Sequence, residues 1–165
     1  PDRVKSMVLL NTDAMRESPK VLTKHKTLEV LVRIFGIRPV VSPVMKMMFG
    51  RTARKQQPHL IGRWRSTLAD IHVQSMLETL SALDERDDVL NALASCAIPA
   101  LVVHGKEDKA IHHTRGRALA EALPNADFHL FDRLGHLSNL ERPNLIIDLV
   151  EDFLNGLSRA ERFAD

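Results

Sequence analysis

Two residues that can transfer protons, Asp108 and His136, each follow a strand-like apolar run. Asp108 lies three residues after Gly105 in "IPALVVHGKED", and His136 follows "DFHLFDRLG". When one ring nitrogen of a histidine donates to a carboxylate, the tautomer is fixed and the other nitrogen can take a proton from a nucleophile. The pair therefore predicts acid–base chemistry, with His136 as general base and Asp108 as the acid that orients it.

Each member of this pair also has a plainer interpretation. An aspartate after a strand is usually a turn or helix cap, and Glu107 competes with Asp108 for the acid position. A single histidine on a loop is more often solvated. Ser138 is a tempting nucleophile, but it lies too close to His136 in the chain to present its Oγ to that ring. His104, at the end of the same apolar run as Gly105, is expected to pack beneath the acid loop.

A metal site near Asp108 is a further alternative, because His112 and His113 follow it closely. Neighbouring histidines rarely direct two nitrogens at one ion, and no third ligand has suitable spacing. We therefore predict that this pair caps the start of a helix. Cys96 has no nearby base in the sequence and is interpreted as a small buried residue.

Three short apolar runs, 6–12, 98–105 and 127–132, predict buried strands of a parallel sheet. The stretches "HHTRGRALAEALPNA" and "RPNLIIDLVEDFLNGL" have helical spacing, and Pro143 stands near the first turn of the second. Alternating strands and helices indicate an α/β fold. Sites in such sheets gather at the carboxyl ends of the strands, which is where Asp108 and His136 are placed.

The long segment 13–97 is patterned differently from the sheet region. Helical spacing recurs in "KVLTKHKTLEVLVRIFG", "RPVVSPVMKMMFG", "HLIGRWRSTLADIHVQSMLETLSAL" and, less clearly, "RDDVLNALAS", with prolines and glycines between. This is far more helix than one crossover needs. We therefore predict a helical cap over 13–97 and a core made of 1–12 and 98–165.

Soft apolar residues of this segment have two interpretations. The run 44–50 ("VMKMMFG"), with Phe35 and Trp64, is typical of helix packing because methionine fills gaps. Alternatively, some of these side chains line an acyl or ring pocket above His136. Arg63 and Arg65 flank Trp64, where they either meet a substrate carboxylate or occupy a solvated helix face.

Composition limits the classes of partner. The chain has 23 Lys+Arg against 21 Asp+Glu, a net charge of +2, although basic residues are dense in 50–65. Aromatic residues make up 4% and tyrosine is absent, so the stacking platforms of single-stranded nucleic-acid binders are missing. With no apolar run that could span a bilayer, we expect neither a nucleic-acid nor a membrane partner. The single Cys96 cannot form an internal disulfide, which favours a cytoplasmic location.

The segments "IPALVVHGKED", "ALAEALPNADFHLFDRLGHLSNLERP" and "LIIDLVEDFL" resemble the C-terminal part of the α/β-hydrolase superfamily. The resemblance is greatest to 3-oxoadipate enol-lactonases, related esterases and cofactor-free haloperoxidase-type enzymes. It implies that Asp108 is the triad acid and His136 the triad base. It also implies a small-molecule ester or lactone substrate and no metal or organic cofactor. The segment 13–97 stands where that superfamily carries its cap.

The chain departs from the superfamily in one respect. The nucleophile motif G-x-S-x-G is absent, together with the loop that completes the oxyanion hole. We therefore expect a serine upstream of Pro1, supplied by a missing N-terminal half of the fold. Alone, the chain is expected to be inactive and to aggregate or pair with another chain along the exposed strand 6–12.

Two alternatives stay open. One is a same-fold enzyme of the haloperoxidase, C–C hydrolase or dehalogenase type. The other is a non-catalytic hydrolase-like protein that binds a ligand or a partner.

Overall fold

A three-stranded parallel sheet forms the centre of the computed structural model, which describes residues 3–162 and the side chains of 3–158. The outermost bounds predicted for the core, 1 and 165, lie outside the described residues. Met7 pairs with Ala100, and Ala100 with Ala126, so the carboxyl ends of all three strands meet at one edge. The strands, in the order β1-β2-β3, are β1 (Met7–Leu10), β2 (Ala100–Gly105) and β3 (Ala126–Phe131).

The central strand β2 is buried on both faces. Ala100 and Val102 pack with the apolar side of α6 (His113–Ala122), whereas Leu101 and Val103 pack with α8 (Pro143–Arg162). None of these four strand residues is more than 1% exposed. Alternate side chains therefore enter two separate apolar layers, as expected of a parallel strand covered by helices. The predicted α/β fold with flanking helices is confirmed.

Five helices lie between β1 and β2, and the first, second, fourth and fifth of them share an apolar core. Prolines stand in the first turns of the first, second and fourth helices, where a missing N–H costs no hydrogen bond. The core residues include Val32, Val40, Met45, Phe49 and Leu77. The helices are α1 (Pro19–Phe35), α2 (Arg38–Met48), α3 (Arg51–Gln56), α4 (Pro58–Ala69) and α5 (Val73–Asp84).

The structure differs from the predicted helices in three places. The long helical pattern from 59 to 83 forms two helices and not one. The first, α4, is capped at Asp70, whose N–H donates to the Ser66 carbonyl, and the backbone of His72 is extended before α5 begins. No Gly or Pro marks this break. The "RDDVLNALAS" stretch forms only a short 3-10 helix at Asn91–Ser95, since the Asp88 side chain accepts the Leu90 N–H. The short helices α3 and α7 (Ser138–Glu141) were not predicted.

The end of β2 approaches the following loop so closely that only glycine fits. A Cβ on Gly105 would overlap the backbone of Leu134 and lie 2.9 Å from the carbonyl oxygen of Gly135. Backbone atoms cannot move aside as a flexible side chain can. This contact sets the distance between the strand that precedes Asp108 and the loop that carries His136.

Gly105→Ala is expected to lower the free energy of unfolding by about 2 kcal/mol, the usual cost of overpacking. The matched control is Gly62→Ala in α4, where nothing lies within 4 Å of the added Cβ. That change should raise stability by about 0.5–1 kcal/mol, because alanine favours the helix. Urea denaturation measures both. Equal effects of the two substitutions would contradict the close contact.

Candidate active site

The structure brings Asp108 and His136 together at the carboxyl edge of the sheet. His136 Nδ1 lies 2.9 Å from Asp108 Oδ2, with the acid on the loop after β2 and the histidine on the loop after β3. The Asp108 side chain is fully buried and that of His136 is 20% exposed. Because Nδ1–H donates to the carboxylate, Nε2 is left for other chemistry. Nε2 has no hydrogen-bond partner among the described residues.

Both oxygens of Asp108 accept several hydrogen bonds. Oδ1 accepts the backbone N–H groups of Ala110 and Ile111, each at 2.9 Å. Oδ2 accepts from Asn11 Nδ2 at 3.1 Å and lies 3.3 Å from His104 Nε2. Burial raises the pKa of Asp108, but the hydrogen bonds from the two histidines, the His136 charge and the Ile111 N–H together hold that pKa well below its ordinary value. The carboxyl group is therefore ionised at neutral pH.

Asn11 belongs to this site, although the sequence reasoning did not single it out. It directly follows β1 with φ of 50° and is 2% exposed. Its Nδ2 donates to Asp108 Oδ2 and, at 3.0 Å, to the carbonyl of Gly135. One amide thus connects the first strand, the acid and the histidine loop. Its position at the carboxyl end of the strand in "VLLNT" was the available signal.

The positions of His104 and Glu107 show which carboxylate contacts His136. His104 is completely buried beneath Asp108, as predicted, and its Nε2 donates to the Ile111 carbonyl at 3.0 Å. Glu107 turns away from His136: its oxygens accept the N–H of Thr52 at 2.7 Å and the Thr52 hydroxyl at 2.8 Å. The histidine therefore meets Asp108 and not Glu107.

The loop that carries His136 is clamped to the helices by Glu141, another residue that the sequence reasoning missed. Glu141 is 3% exposed; Oε1 accepts the Gly50 N–H at 3.0 Å and Oε2 the Gly135 N–H at 2.9 Å. Burial raises the pKa of Glu141, and the two N–H groups offset only part of that rise. In addition, the N–H groups of His136 and Leu137 both donate to the carbonyl at the end of α2, Met48.

A cavity of about 810 Å³ opens beside His136. Its walls include Phe49 and Trp64, with ring centroids 6.4 Å apart, and several methionines of α2. Residues of the stretch 44–50 line this cavity, and two of them, Met45 and Phe49, also belong to the core of the helices. Phe35 does not take part: it is 63% exposed and outside the walls.

The arginines that flank Trp64 are also outside the cavity walls. Arg63 and Arg65 are exposed, and Arg65 donates to the Ser42 hydroxyl at 2.8 Å. The solvated-face interpretation is thus correct for them. Two other cations, Lys24 and Lys109, line the cavity and have no ion-pair partner among the described residues.

Among the described residues, the side chains of the remaining candidates form no hydrogen bond with this pair. Ser138 is 1% exposed, and its Oγ has no hydrogen-bond partner among residues 3–158. His112 caps α6, accepting the Thr114 N–H, and its ring lies 4.3 Å from that of His113. Within the described residues, no three His, Cys, Asp or Glu side chains group as a metal site. No helix between residues 3 and 162 has the length and apolar character needed to cross a membrane.

A family model describes nearly the whole chain: the model of the Ndr family matches residues 1–159. The chain belongs to the Ndr family. Its structural neighbours are α/β hydrolases, so this Ndr-family chain has an α/β-hydrolase fold.

Similar proteins are named as hydrolases. A 2-hydroxy-6-oxononadienedioate/2-hydroxy-6-oxononatrienedioate hydrolase of Pseudomonas putida is 26% identical over 159 residues, which cover 93% of this chain and 55% of the relative. A hydrolase of the same description from Paraburkholderia phymatum is 32% identical over 84 residues, 50% of this chain and 29% of the relative.

Two solved structures agree with the fold. The enol-lactonase from Burkholderia xenovorans LB400 has a TM-score of 0.82 at 27% identity, covering 93% of this chain and 57% of its own. An esterase from Thermogutta terrifontis has a TM-score of 0.84 at 20% identity, and the match covers 94% of this chain and 57% of the esterase. At this identity the similarity concerns the fold alone. The chain thus spans little more than half the length of these proteins.

Asp108→Asn is expected to lower the free energy of unfolding by about 2–3 kcal/mol at neutral pH, because charged hydrogen bonds are lost. The folded-state pKa of Asp108 lies below the ordinary 3.8, so its contribution is complete above that value and is lost as pH falls through the folded-state pKa. The difference between wild type and variant should therefore shrink below about pH 4. Denaturation across pH 3–7 tests this, with exposed Asp148→Asn as control. A difference that does not change with pH would contradict the ionised buried carboxylate.

Glu141→Gln keeps the side-chain shape but replaces one acceptor oxygen with an amide NH₂. The NH₂ group would face the N–H of Gly50 or Gly135, so that two hydrogen-bond donors would point at each other with no acceptor between them. We expect a loss of about 1–3 kcal/mol in stability and faster amide hydrogen exchange at Gly50 and Gly135. Glu121→Gln, an exposed substitution on α6, is the matched control. Unchanged exchange at both glycines would show that Glu141 does not hold the loop.

Proposed function

We propose that this chain carries the acid–base half of a hydrolase site that cleaves carboxylic esters or lactones. The observation that supports this best is the 2.9 Å hydrogen bond between His136 Nδ1 and buried Asp108, beside a cavity walled largely by apolar side chains. His136 serves as the general base and Asp108 as the acid that orients it. The helical segment 13–97 acts as the cap over this site, and no metal or organic cofactor takes part.

In the proposed mechanism the nucleophile is a serine that lies outside this chain. His136 Nε2 takes the serine proton while the serine oxygen attacks the substrate carbonyl. Asp108 stays ionised and stabilises the imidazolium; it does not take up the proton. His136 then gives its proton to the leaving oxygen. Water repeats the same steps on the acyl-enzyme, so that a carboxylic acid and free serine are formed.

The electrostatics of the site support these roles. A carboxylate held ionised by several donors can stabilise an imidazolium without competing for its proton. The apolar walls suit the organic part of an ester, and a pocket with few polar groups is usual for a small substrate. The enol-lactonase that shares the fold at 27% identity agrees with a lactone substrate.

A second candidate is hydrolysis of a 2-hydroxy-6-oxo dicarboxylic acid by the same residues. The curated relatives carry this activity in their names. Lys24 and Lys109 line the cavity without ion-pair partners among the described residues, and each could meet a substrate carboxylate. Turnover of such an acid and of a lactone, measured side by side on the natural-length protein, separates the two candidates.

The test of the serine mechanism is reaction of the natural-length protein with a fluorophosphonate probe, followed by intact mass and peptide mapping. Labelling should fall on one serine outside this chain. His136→Ala should reduce the labelling rate and ester turnover on the order of 10⁴-fold, because the base is lost. His59→Ala, an exposed histidine of α4, is the matched control and should change neither.

Labelling that survives His136→Ala unchanged would contradict the assigned base. A folded protein that is not labelled at all would favour an aspartate nucleophile or a non-catalytic binding role. Haloalkane and epoxide substrates would then distinguish those two.

A further inference from the structure

Positive charge is concentrated in the helical part of the chain. Residues 19–69 hold eleven of the 23 Lys and Arg residues but only one of the 21 Asp and Glu residues, Glu29. This segment has a net charge of +10, and the remainder of the chain has −8, so the total of +2 conceals a strong asymmetry. A field of this size acts on partners at a distance.

These cations are not neutralised by neighbours. Among the described residues, Arg33 is the only one of the eleven in an ion pair, with Glu29 at 2.7 Å. Arg54 and Arg65 make hydrogen bonds to neutral groups. Most of the positive charge is therefore available to an anionic partner.

An exposed apolar stripe adjoins part of this charge. Val30, Leu31, Ile34 and Phe35 are 54%, 39%, 65% and 63% exposed, and their spacing places them on one side of the last turns of α1. None of the four lines the cavity beside His136. Large apolar side chains grouped in this way mark a contact surface more often than scattered ones do.

Exposed cations of α2 follow the stripe in the chain. The chain turns at Gly36, with φ of 72°, and Arg38 lies three residues after Phe35, so their Cα atoms are at most about 11 Å apart. Arg38 and Lys46 share one face of α2 with Ser42, whose hydroxyl accepts from Arg65. We call this set the basic apolar surface: Val30, Leu31, Ile34 and Phe35 with Arg33, Arg38, Lys46 and Arg65.

We propose that the basic apolar surface docks on the face of an anionic lipid bilayer. Apolar side chains that enter the boundary between headgroups and acyl chains, flanked by cations for the headgroups, are what peripheral attachment requires. Attachment of this kind needs no membrane-spanning helix. The proposal does not depend on the proposed hydrolysis. It departs from the expectation of no membrane partner, which rests on the lack of an apolar run that could span a bilayer.

The charge and the stripe together favour lipid over two other occupants. A second copy bound through the same surface would bring two segments of +10 together, which repel. A nucleic acid would satisfy the cations but not four apolar side chains, since phosphates are contacted by charged and polar groups. Lipid satisfies both parts of the surface.

Vesicle flotation of the natural-length protein tests the proposal, with vesicles of phosphatidylcholine alone and with about one-third phosphatidylserine. Binding should be at least about ten-fold stronger to the anionic vesicles and should weaken as salt is added. Arg38→Glu/Lys46→Glu should reduce it about ten-fold or more, and Ile34→Ser/Phe35→Ser should also reduce it about ten-fold. All four residues are exposed, and circular dichroism checks that each variant folds.

The matched control is Arg16→Glu/Arg117→Glu, which makes the same charge change at exposed residues outside 19–69 and should bind as wild type does. The proposal is overturned by equal binding to neutral and anionic vesicles, by no binding, or by equal loss in the control. A third outcome would assign the surface to nucleic acid instead. The protein would then bind random-sequence duplex DNA more tightly than vesicles, and Arg38→Glu/Lys46→Glu would lose this binding while Ile34→Ser/Phe35→Ser kept it.

Discussion

The buried charge of Asp108 imposes the constraint on which the rest of the site depends. An ionised carboxylate removed from water costs several kcal/mol unless hydrogen bonds replace the lost solvent. The donors come from Asn11 after β1, from the backbone at Ala110 and Ile111, and from His136 after β3, and His104 Nε2 of β2 lies 3.3 Å from Oδ2. Because these groups come from all three strand ends, the acid is satisfied only when the strands are in register.

Glu141 is a second buried carboxylate, and its pKa is shifted in the direction opposite to that of Asp108. Both are largely inaccessible to solvent, yet the pKa of Asp108 is lowered and that of Glu141 is raised. Asp108 has histidine partners in addition to backbone N–H groups, whereas Glu141 has two N–H groups and the like charges of Glu107 and Asp108 nearby. The first carboxylate therefore favours ionisation, and the second serves mainly to join Gly50 and Gly135.

The sequence was sufficient where the information was local. Apolar runs identified β1, β2 and β3, and the rule that sites follow strand ends selected Asp108 and His136, which the structure brings into hydrogen-bond contact. Asn11 was missed because a single asparagine after a strand usually signals a turn. Glu141 was missed because one of its two partners, Gly50, is 91 residues away in the chain. No periodicity reveals such a contact.

The break between α4 and α5 was missed for a different reason: apolar spacing continues across it with no Gly or Pro. The positive charge of residues 19–69, in contrast, can be counted from the sequence. The net charge of the whole chain does not show it, because the acidic remainder offsets it.

One helix, α2, joins the two parts of the molecule considered above. At its carboxyl end, the Met48 carbonyl accepts the N–H groups of His136 and Leu137, while Met45 and Phe49 pack into the core of the helices. Its outer face carries Arg38 and Lys46. Two hydrogen bonds thus connect α2 directly to the histidine loop, and Glu141 joins the same loop to Gly50, just after α2. The position of His136 is therefore set by the sheet on one side and by α2 on the other.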